Sequence, residues 1–291
     1  MPSPELIAED LAPGDSGSLR VDWSRLRIER IRSPEHPLFA RVYDRLWAEF
    51  GDLGEMETRD VIVDRLAWDP RRPVGDHALL YEMLAVVDGD EIVGVRDHTA
   101  IVPNLARARA EPAAARVVVH LSHVIVEPPF RGGGLAGWFR ALPVQAAREC
   151  FEAVASRAPR AKQIALVAEM EHPEERNPRV TARLRSYERA GFRKIDPTVV
   201  RYVQPDFRSP QEIDATSVQP LPLVLVVRRV GRETEESLPG DEVRAIVEAL
   251  YGMFGVHAAE RHMQPLRAVV EALPHTEPVA LQPPLSTEGR G

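Results

Sequence analysis

Residues 117–136 read VVVHLSHVIVEPPFRGGGLA, and they are the most informative part of the chain. The stretch begins with an apolar run rich in valine, over residues 117–126, which is typical of a buried strand. A turn with two prolines and three consecutive glycines follows, and the next apolar residues recur at helical spacing. A glycine-rich turn between a strand and a helix exposes backbone N–H groups that have no partner inside the helix. The stretch therefore predicts a binding site for a phosphate or a diphosphate.

The glycine cluster at 132–134 is compatible with two kinds of phosphate ligand. Glycine permits a positive φ and a close approach to the backbone, and Arg131 adds a cation beside it. Residues 132–137 also satisfy the G-x-G-x-x-G fingerprint of dinucleotide-binding proteins, with Glu169 as the ribose-binding acid. However, other residues separate the glycines from the strand, Glu169 lies well beyond the usual spacing of ~20 residues, and much other structure precedes the motif. An NAD(P)-binding protein is therefore the less favoured alternative.

The periodicity on either side of this stretch predicts an α/β protein with a mixed sheet and helices on both faces. Further strands are predicted at residues 26–31, 81–87, 92–102, 164–168, 192–203 and 221–230. Helices are predicted at residues 38–50, 58–66, 135–150 and 180–187. The predicted organisation is a disordered lead (1–20), one domain (21–230) with a linker-like loop at 205–220, a helical extension (231–274) and a disordered tail (275–291).

Two motifs resemble the signatures of the GNAT superfamily of acetyl-CoA-dependent N-acetyltransferases. The first is Val126-x-Pro128-x-x-Arg131-Gly132-x-Gly134-Leu135-Ala136, which is similar to the acetyl-CoA loop of the family, with the core Q/R-x-x-G-x-G/A. The second is Tyr187-Glu188-Arg189-Ala190-Gly191-Phe192, which is similar to the later motif Y-x-x-x-G-F. The predicted elements of residues 26–230 also follow the order of that family. The resemblance implies a GNAT-like acyl-CoA N-acyltransferase fold with a C-terminal helical extension.

The resemblance also implies how acetyl-CoA, or another acyl-CoA, is bound. The strands at 117–126 and 164–168 would splay apart, and backbone groups near Val124 and Val126 would bond the pantetheine arm. The diphosphate would lie on the loop, which consists of Arg131, Gly132, Gly133, Gly134, Leu135 and Ala136. The chain departs from the family in two places. Pro143 should kink the helix after the loop, and Val180 stands where the family often has an asparagine, with Asn177 slightly earlier.

The catalytic residues implied by the resemblance are Tyr187, His120 and Glu169. A tyrosine at the position of Tyr187 commonly gives a proton to the departing thiolate, and a phenol with a pKa near ~10 suits that task. Two residues are candidates for the general base. His120 stands where some family members carry a catalytic glutamate, and shares its strand face with Ser122, whereas His123 should lie on the other face. Glu169, at the end of the next strand, is the second candidate.

The acceptor in such a fold is an amine, either a small molecule or a peptide. The first two helices and their connecting loop usually select it, and here this segment carries an excess of acid: Glu49, Asp52, Glu55, Glu57 and Asp60. If these carboxylates line the pocket, a cationic amine is favoured.

The composition limits the remaining functions. The chain has 291 residues, 44% of them apolar and 28% charged, and no apolar run approaches the ~18 residues of a membrane span. A formal charge of -7 disfavours nucleic acid as a partner. A single cysteine, Cys150, and an acidic start without a signal-like pattern favour the cytoplasm. A CoA-binding module that has lost catalysis is the main alternative to an enzyme, and its C-terminal helices would serve a partner or a homodimer interface.

Overall fold

The computed structural model describes residues 8–16, 20–173 and 177–286, and these contain one large sheet and one small one. In chain order, the strands of the two sheets are β1 (Leu26–Ile31), β2 (His77–Asp88), β3 (Glu91–Pro103), β4 (Val117–His120), β5 (Val124–Val126), β6 (Ile164–Met170), β7 (Arg193–Ile195), β8 (Val203–Gln204), β9 (Leu221–Pro222), β10 (Val224–Arg229), β11 (Ser237–Leu238) and β12 (Val279–Gln282). The small sheet consists of β8 and β9. The large sheet runs in the order β1-β2-β3-β4-β6-β10-β7-β12-β11, with β5 on β3.

The helices cover both faces of the large sheet. In chain order they are α1 (Pro13–Ser16), α2 (Phe39–Phe50), α3 (Arg59–Leu66), α4 (Leu105–Ala110), α5 (Leu135–Ala141), α6 (Pro143–Ala155), α7 (Pro178–Arg189), α8 (Pro210–Thr216), α9 (Gly240–Phe254) and α10 (Gln264–Glu271). Helices α6 and α7 share one apolar core with the sheet, whereas α9 packs in a core on the opposite face. Helices α2 and α3 pack in a third core, against β2 and β3.

The strand directions confirm the predicted fold class, a mixed α/β sheet with helices on both faces and a C-terminal helical extension. Strands β1, β2 and β3 form an antiparallel meander, and β4 then runs parallel to β6. Strand β10 returns antiparallel between β6 and β7. A dinucleotide-binding fold instead begins with parallel βαβ units, so the antiparallel start disfavours the NAD(P) alternative.

The strand predicted over residues 117–126 is interrupted at residues 121–123, and the interruption separates two pairings. Strand β4 is parallel to β6 from the pair Val117↔Ile164 to the pair His120↔Val167. Strand β5 pairs only with β3, through residues 94–96. The sheet is therefore continuous at His120 and open beside β5, as the resemblance implied.

The helix after the glycine loop is broken where Pro143 predicts a kink. Helix α5 ends at Ala141, and α6 begins at Pro143 in its first-turn position. Proline has no N–H to donate and is tolerated only in the first turn of a helix, so the chain restarts the helix there.

The predicted disordered lead, 1–20, is wrong for residues 8–16. Asp10, Leu11, Ala12 and Asp15 are buried, and the Asp15 carboxylate accepts two hydrogen bonds from the Arg140 guanidinium, at 2.7 and 3.0 Å. Tertiary partners stabilise a segment whose composition alone resembles a disordered one. Residues 1–7 and 17–19 lie outside the described residues.

The other two segments predicted to lack structure also contain regular elements. In the linker-like loop, 205–220, Ser209 and Glu212 form a capping box that starts α8. In the predicted disordered tail, 275–291, β12 pairs with β7 and with β11, while residues 287–291 lie outside the described part. The helices predicted in the extension, 231–274, are present as α9 and α10, and the extension adds β11 to the large sheet. No helix in the described part of the chain has the length and apolar character to cross a membrane.

Candidate active site

The glycine loop leaves β5 through a short 3-10 turn and ends at the start of α5. Gly132 and Gly134 have positive φ values of 79° and 97°, which only glycine adopts readily. Among the described residues, no acceptor is found for the amide N–H groups of residues 132–136. The only backbone hydrogen bond of Gly133 in that set is accepted by its carbonyl, from the Arg20 N–H at 3.0 Å. The loop therefore presents several free donors, as a diphosphate site requires.

The Arg131 side chain is held in place beside this loop. Its Nε donates to the Val126 carbonyl at 2.7 Å, while the side chain stays exposed. The predicted cation is thus at the loop mouth. One of the two backbone positions expected to bond a pantetheine arm, the Val126 carbonyl, already accepts this bond.

The backbone of Val124 and Val126 faces away from β3. The His123 carbonyl accepts from the Asp97 N–H at 3.2 Å, and the Glu127 N–H donates to the Val93 carbonyl at 3.0 Å. Backbone groups alternate between the two edges of a strand, so those of Val124 and Val126 point to the opposite edge. That edge is the opening beside β5, and it joins the glycine loop to the 121–123 interruption.

At the other end of this opening the structure brings together the two candidates for the base. His120 Nε2 lies 2.9 Å from Glu169 Oε2, because the parallel register places His120 opposite Val167, near the end of β6. Ser122 Oγ lies 3.1 Å from His120 Nδ1. The Phe254 ring packs edge-on against the imidazole, with 5.4 Å between centroids. His120 and Glu169 are therefore one hydrogen-bonded pair rather than rivals.

Glu169 is kept as a carboxylate by its neighbours. Burial raises its pKa, but the hydrogen bond and charge of His120 outweigh that effect, and the pKa of Glu169 lies below its usual value. Gln204 Nε2, from β8, also donates to Glu169 Oε2, at 3.3 Å. An ionised Glu169 can accept only, so His120 Nε2 carries hydrogen, and in the neutral imidazole the lone pair is on Nδ1.

His123 faces the same pocket as His120, contrary to the prediction of opposite faces, because the chain leaves the strand between them. Its Nδ1 donates to Asp97 Oδ1 at 3.0 Å, and its Nε2 donates to the Glu55 carbonyl at 3.0 Å. Burial lowers the pKa of His123, but Asp97 outweighs burial and raises it to about 9. Burial raises the pKa of Asp97 and His123 lowers it, to about 2. The His123 imidazolium therefore links the segment after α2, through the Glu55 carbonyl, to Asp97 in the sheet.

The pocket around these two histidines is acidic on one side. Of the predicted acidic residues, Glu55 and Glu57 line it, whereas Glu49, Asp52 and Asp60 do not. Glu57 forms an ion pair with the buried Arg65, and the lining Glu171 forms one with Arg183. Glu55 has no ion-pair partner among the described residues. Burial, and then the charge of Glu171, raise its pKa.

Tyr187 lies on the other face of the sheet and does not line the histidine pocket. It is 3% exposed, and its ring packs edge-on against Phe192, with 4.8 Å between centroids. Its hydroxyl accepts from Arg96 Nη2 at 3.3 Å, so the hydroxyl hydrogen remains available to another acceptor. Its catalytic role stays a prediction. Asn177 caps α7 by accepting from the Arg179 N–H.

Several residues of this site were missed by sequence reasoning. Gln204, Arg96 and Phe254 contact the predicted residues, and Tyr81 donates to Asp97. Buried polar residues inside the apolar strand runs were the only local signal, and that signal does not identify a partner.

Comparisons with known proteins found similar solved structures but no match to a family model or to a curated protein. Among solved structures, a GNAT family acetyltransferase from Elizabethkingia anophelis with acetyl-CoA bound is 13% identical, with a TM-score of 0.37; the match covers 71% of this chain and 99% of that one. NAA60 from Arabidopsis thaliana in complex with acetyl-CoA is 14% identical, with a TM-score of 0.38 and coverages of 70% and 99%.

A third similar structure is the acetyltransferase from Salmonella typhimurium that modifies the N-terminal serine of ribosomal protein L7/L12. It is 11% identical, with a TM-score of 0.36 and coverages of 71% and 96%.

Proposed function

We propose that this chain is an acyl-CoA-dependent N-acyltransferase of the GNAT type, which moves an acyl group, in the first instance acetyl, directly to a primary amine. The observation that carries the proposal is the opening beside β5. One end of it meets the free amides of the glycine loop, and the other end meets the His120–Glu169 pair. A CoA thioester needs an anion site at one end of an extended channel and acid–base chemistry at the other.

The cosubstrate acyl-CoA fits the residues along this opening. Its diphosphate would accept hydrogen bonds from the amides of residues 132–136, with the Arg131 guanidinium beside them. Its pantetheine amides would bond the outward backbone groups of Val124 and the N–H of Val126. The thioester would then lie near the 121–123 interruption, next to the histidine pocket.

His120 is the proposed general base. A primary amine is mostly protonated at neutral pH, with a pKa near ~10, and attacks only after losing that proton. His120 receives it on Nδ1, directly or through the Ser122 hydroxyl. Glu169 accepts from Nε2–H and stabilises the imidazolium that forms. Tyr187 is the proposed proton donor to the departing thiolate, since Arg96 leaves its hydroxyl hydrogen free.

The proposed acceptor is a cationic amine, either a small molecule or a peptide. Glu55 supports this, because its carboxylate lines the pocket near Glu171 and forms no described ion pair. An ammonium group between the two carboxylates would relieve their repulsion, which is the cause of the raised pKa of Glu55 after burial.

The test is acyl transfer by the purified protein. Acetyl-CoA is supplied with a panel of cationic and neutral primary amines, and both amide product and free CoA are measured. Thermal shifts with acetyl-CoA and with NAD(P) run in parallel. Amide formation with a cationic amine is the expected result. Stabilisation by acetyl-CoA without any transfer favours the CoA-binding module, and stabilisation by NAD(P) alone rejects the proposal.

A further inference from the structure

Ser122 forms a chain of three functional groups with the two proposed acid–base residues. Its Oγ is 3.1 Å from His120 Nδ1, and His120 Nε2 is 2.9 Å from Glu169 Oε2. Ser122 is partly exposed and lines the pocket, whereas the side chains of His120 and Glu169 are 3% and 6% exposed. A hydroxyl that faces the pocket is thus backed by a buried imidazole and a buried carboxylate. This is the order of groups in a serine hydrolase triad, with the two imidazole nitrogens exchanged.

The hydrogen positions follow from the charge of Glu169. Because the carboxylate only accepts, His120 Nε2 carries hydrogen, and in the neutral imidazole His120 Nδ1 accepts from the Ser122 hydroxyl. In that form the serine proton is already directed at a base. Gln204, which donates to Glu169, and the Phe254 ring, which packs against the imidazole, hold this alignment.

The backbone at Ser122 offers a donor for the charge that develops during acyl transfer. Ser122 lies in the interruption between β4 and β5. The amide of Leu121 donates to Val167, and that of His123 donates to Asp97, but the described residues offer no acceptor to the amide of Ser122. Serine proteases of the chymotrypsin type use the nucleophile's own N–H as one donor to the tetrahedral oxyanion.

We propose that Ser122 is a nucleophile, and that the pocket has a second activity, the hydrolysis of short acyl thioesters and activated esters through an acyl-serine. Ser122 Oγ attacks the acyl carbonyl while its proton passes to His120 Nδ1. The C–S bond then breaks, and the thiolate takes that proton and leaves as free CoA. Water next attacks the Ser122 ester, gives one proton to His120, and releases the carboxylic acid as the proton returns to Ser122 Oγ.

With acyl-CoA as the acyl source, this second activity rests on the proposed function. With an activated ester, such as p-nitrophenyl acetate, it depends only on the three side chains and the neighbouring amide. The two sources therefore separate a failure of the triad from a failure of the CoA site.

The experiment exposes the full chain to acetyl-CoA without amine, and to p-nitrophenyl acetate. Free thiol or nitrophenol is followed together with intact mass and peptide mapping. Ser122→Ala removes the nucleophile, and His120→Gln removes the base. Ser24→Ala is the matched control, because Ser24 is exposed and its hydroxyl bonds Asp22. Cys150 does not compete with Ser122 for the acyl group, since burial raises the pKa of its thiol to about 12.

The expected result is one acetyl group on the peptide that contains Ser122, removable by hydroxylamine. Ser122→Ala abolishes it, and amine-independent release falls at least ~100-fold in that variant and in His120→Gln. Ester turnover and adduct without any reaction of acetyl-CoA keep this inference and reject the CoA site. Full acetyl transfer to amines by Ser122→Ala, with no adduct in the wild type from either source, overturns the inference and leaves the proposed function intact.

Discussion

The glycine loop and the histidine pocket lie at the two ends of the same opening, yet they are assembled in opposite ways. The loop is one continuous stretch, residues 131–136, and what it presents is a set of free backbone amides. The described residues that line the pocket come from well-separated parts of the chain, which are 50–57, 120–123, 169–171, Arg183, 204–207, Leu223 and Phe254. A site built from backbone needs only glycines and a turn. A site built from side chains needs long-range packing to hold each one.

The largest effect is expected in the histidine pocket, at the proposed general base. His120→Gln removes the proposed base and should lower kcat for acetyl transfer by roughly 10²- to 10⁴-fold, the usual contribution of general base catalysis. The Kd of acetyl-CoA, measured by calorimetry, should change little because the loop is untouched. Glu169→Gln should lower kcat less and change its pH profile. Equal kcat values for the wild type and His120→Gln would remove His120 from the mechanism.

The next effect is on stability and concerns the ion pair that holds the pocket together. His123→Gln leaves Asp97 buried without its partner, which typically costs about 3 kcal/mol of unfolding free energy. The folded pKa of His123, about 9, exceeds its unfolded value of 6.5, so the contribution is full below pH 6.5 and is lost as the pH rises through about 9. Asp97, lowered to about 2, contributes fully above its unfolded value of 3.8.

The measurement is urea unfolding of the wild type and of His123→Gln from pH 5 to pH 10. The difference in unfolding free energy should shrink between pH 6.5 and about pH 9. His275→Gln is the control, because that histidine is exposed and far along the chain. A difference that stays constant over this range would mean that His123 is not an imidazolium in the folded protein.

A smaller effect is expected at the loop. Gly133 does not have a positive φ, and a Cβ there meets only the Phe130 carbonyl, at 3.7 Å, so a side chain causes no backbone strain. Gly133→Glu places a negative charge among the free amides and should raise the Kd of acetyl-CoA roughly 10- to 100-fold, through electrostatic repulsion of about 1.4 to 2.7 kcal/mol. Gly133→Gln, equal in size but neutral, should raise the Kd of acetyl-CoA less. High salt should reduce the difference in Kd between the two variants. Identical Kd values for both variants and the wild type would refute a diphosphate site here.

The smallest effect concerns selection of the acceptor. Glu55→Gln removes the unpaired carboxylate and should lower kcat/KM for a cationic amine about 3- to 10-fold relative to a neutral amine of similar size. Glu49→Gln is the matched control, since Glu49 lies on α2 but does not line the pocket. An unchanged preference in Glu55→Gln would mean that this segment does not select for charge.

Local sequence was enough for most of the fold and for the loop. Strand and helix periodicity, the break at Pro143 and the glycines with positive φ each depend on residues close together in the chain. The glycine motif therefore identified the free amides correctly, because a turn of this kind exposes them whatever surrounds it.

Tertiary structure alone decided how the side chains combine. The register of β4 against β6 makes His120 and Glu169 one pair, and the interruption at 121–123 turns His123 into the pocket. Packing also ordered residues 8–16 and 279–282, whose polar, proline-rich composition indicated disorder. These outcomes depend on contacts between residues far apart in sequence, and composition or periodicity within a short window contains no information about such partners.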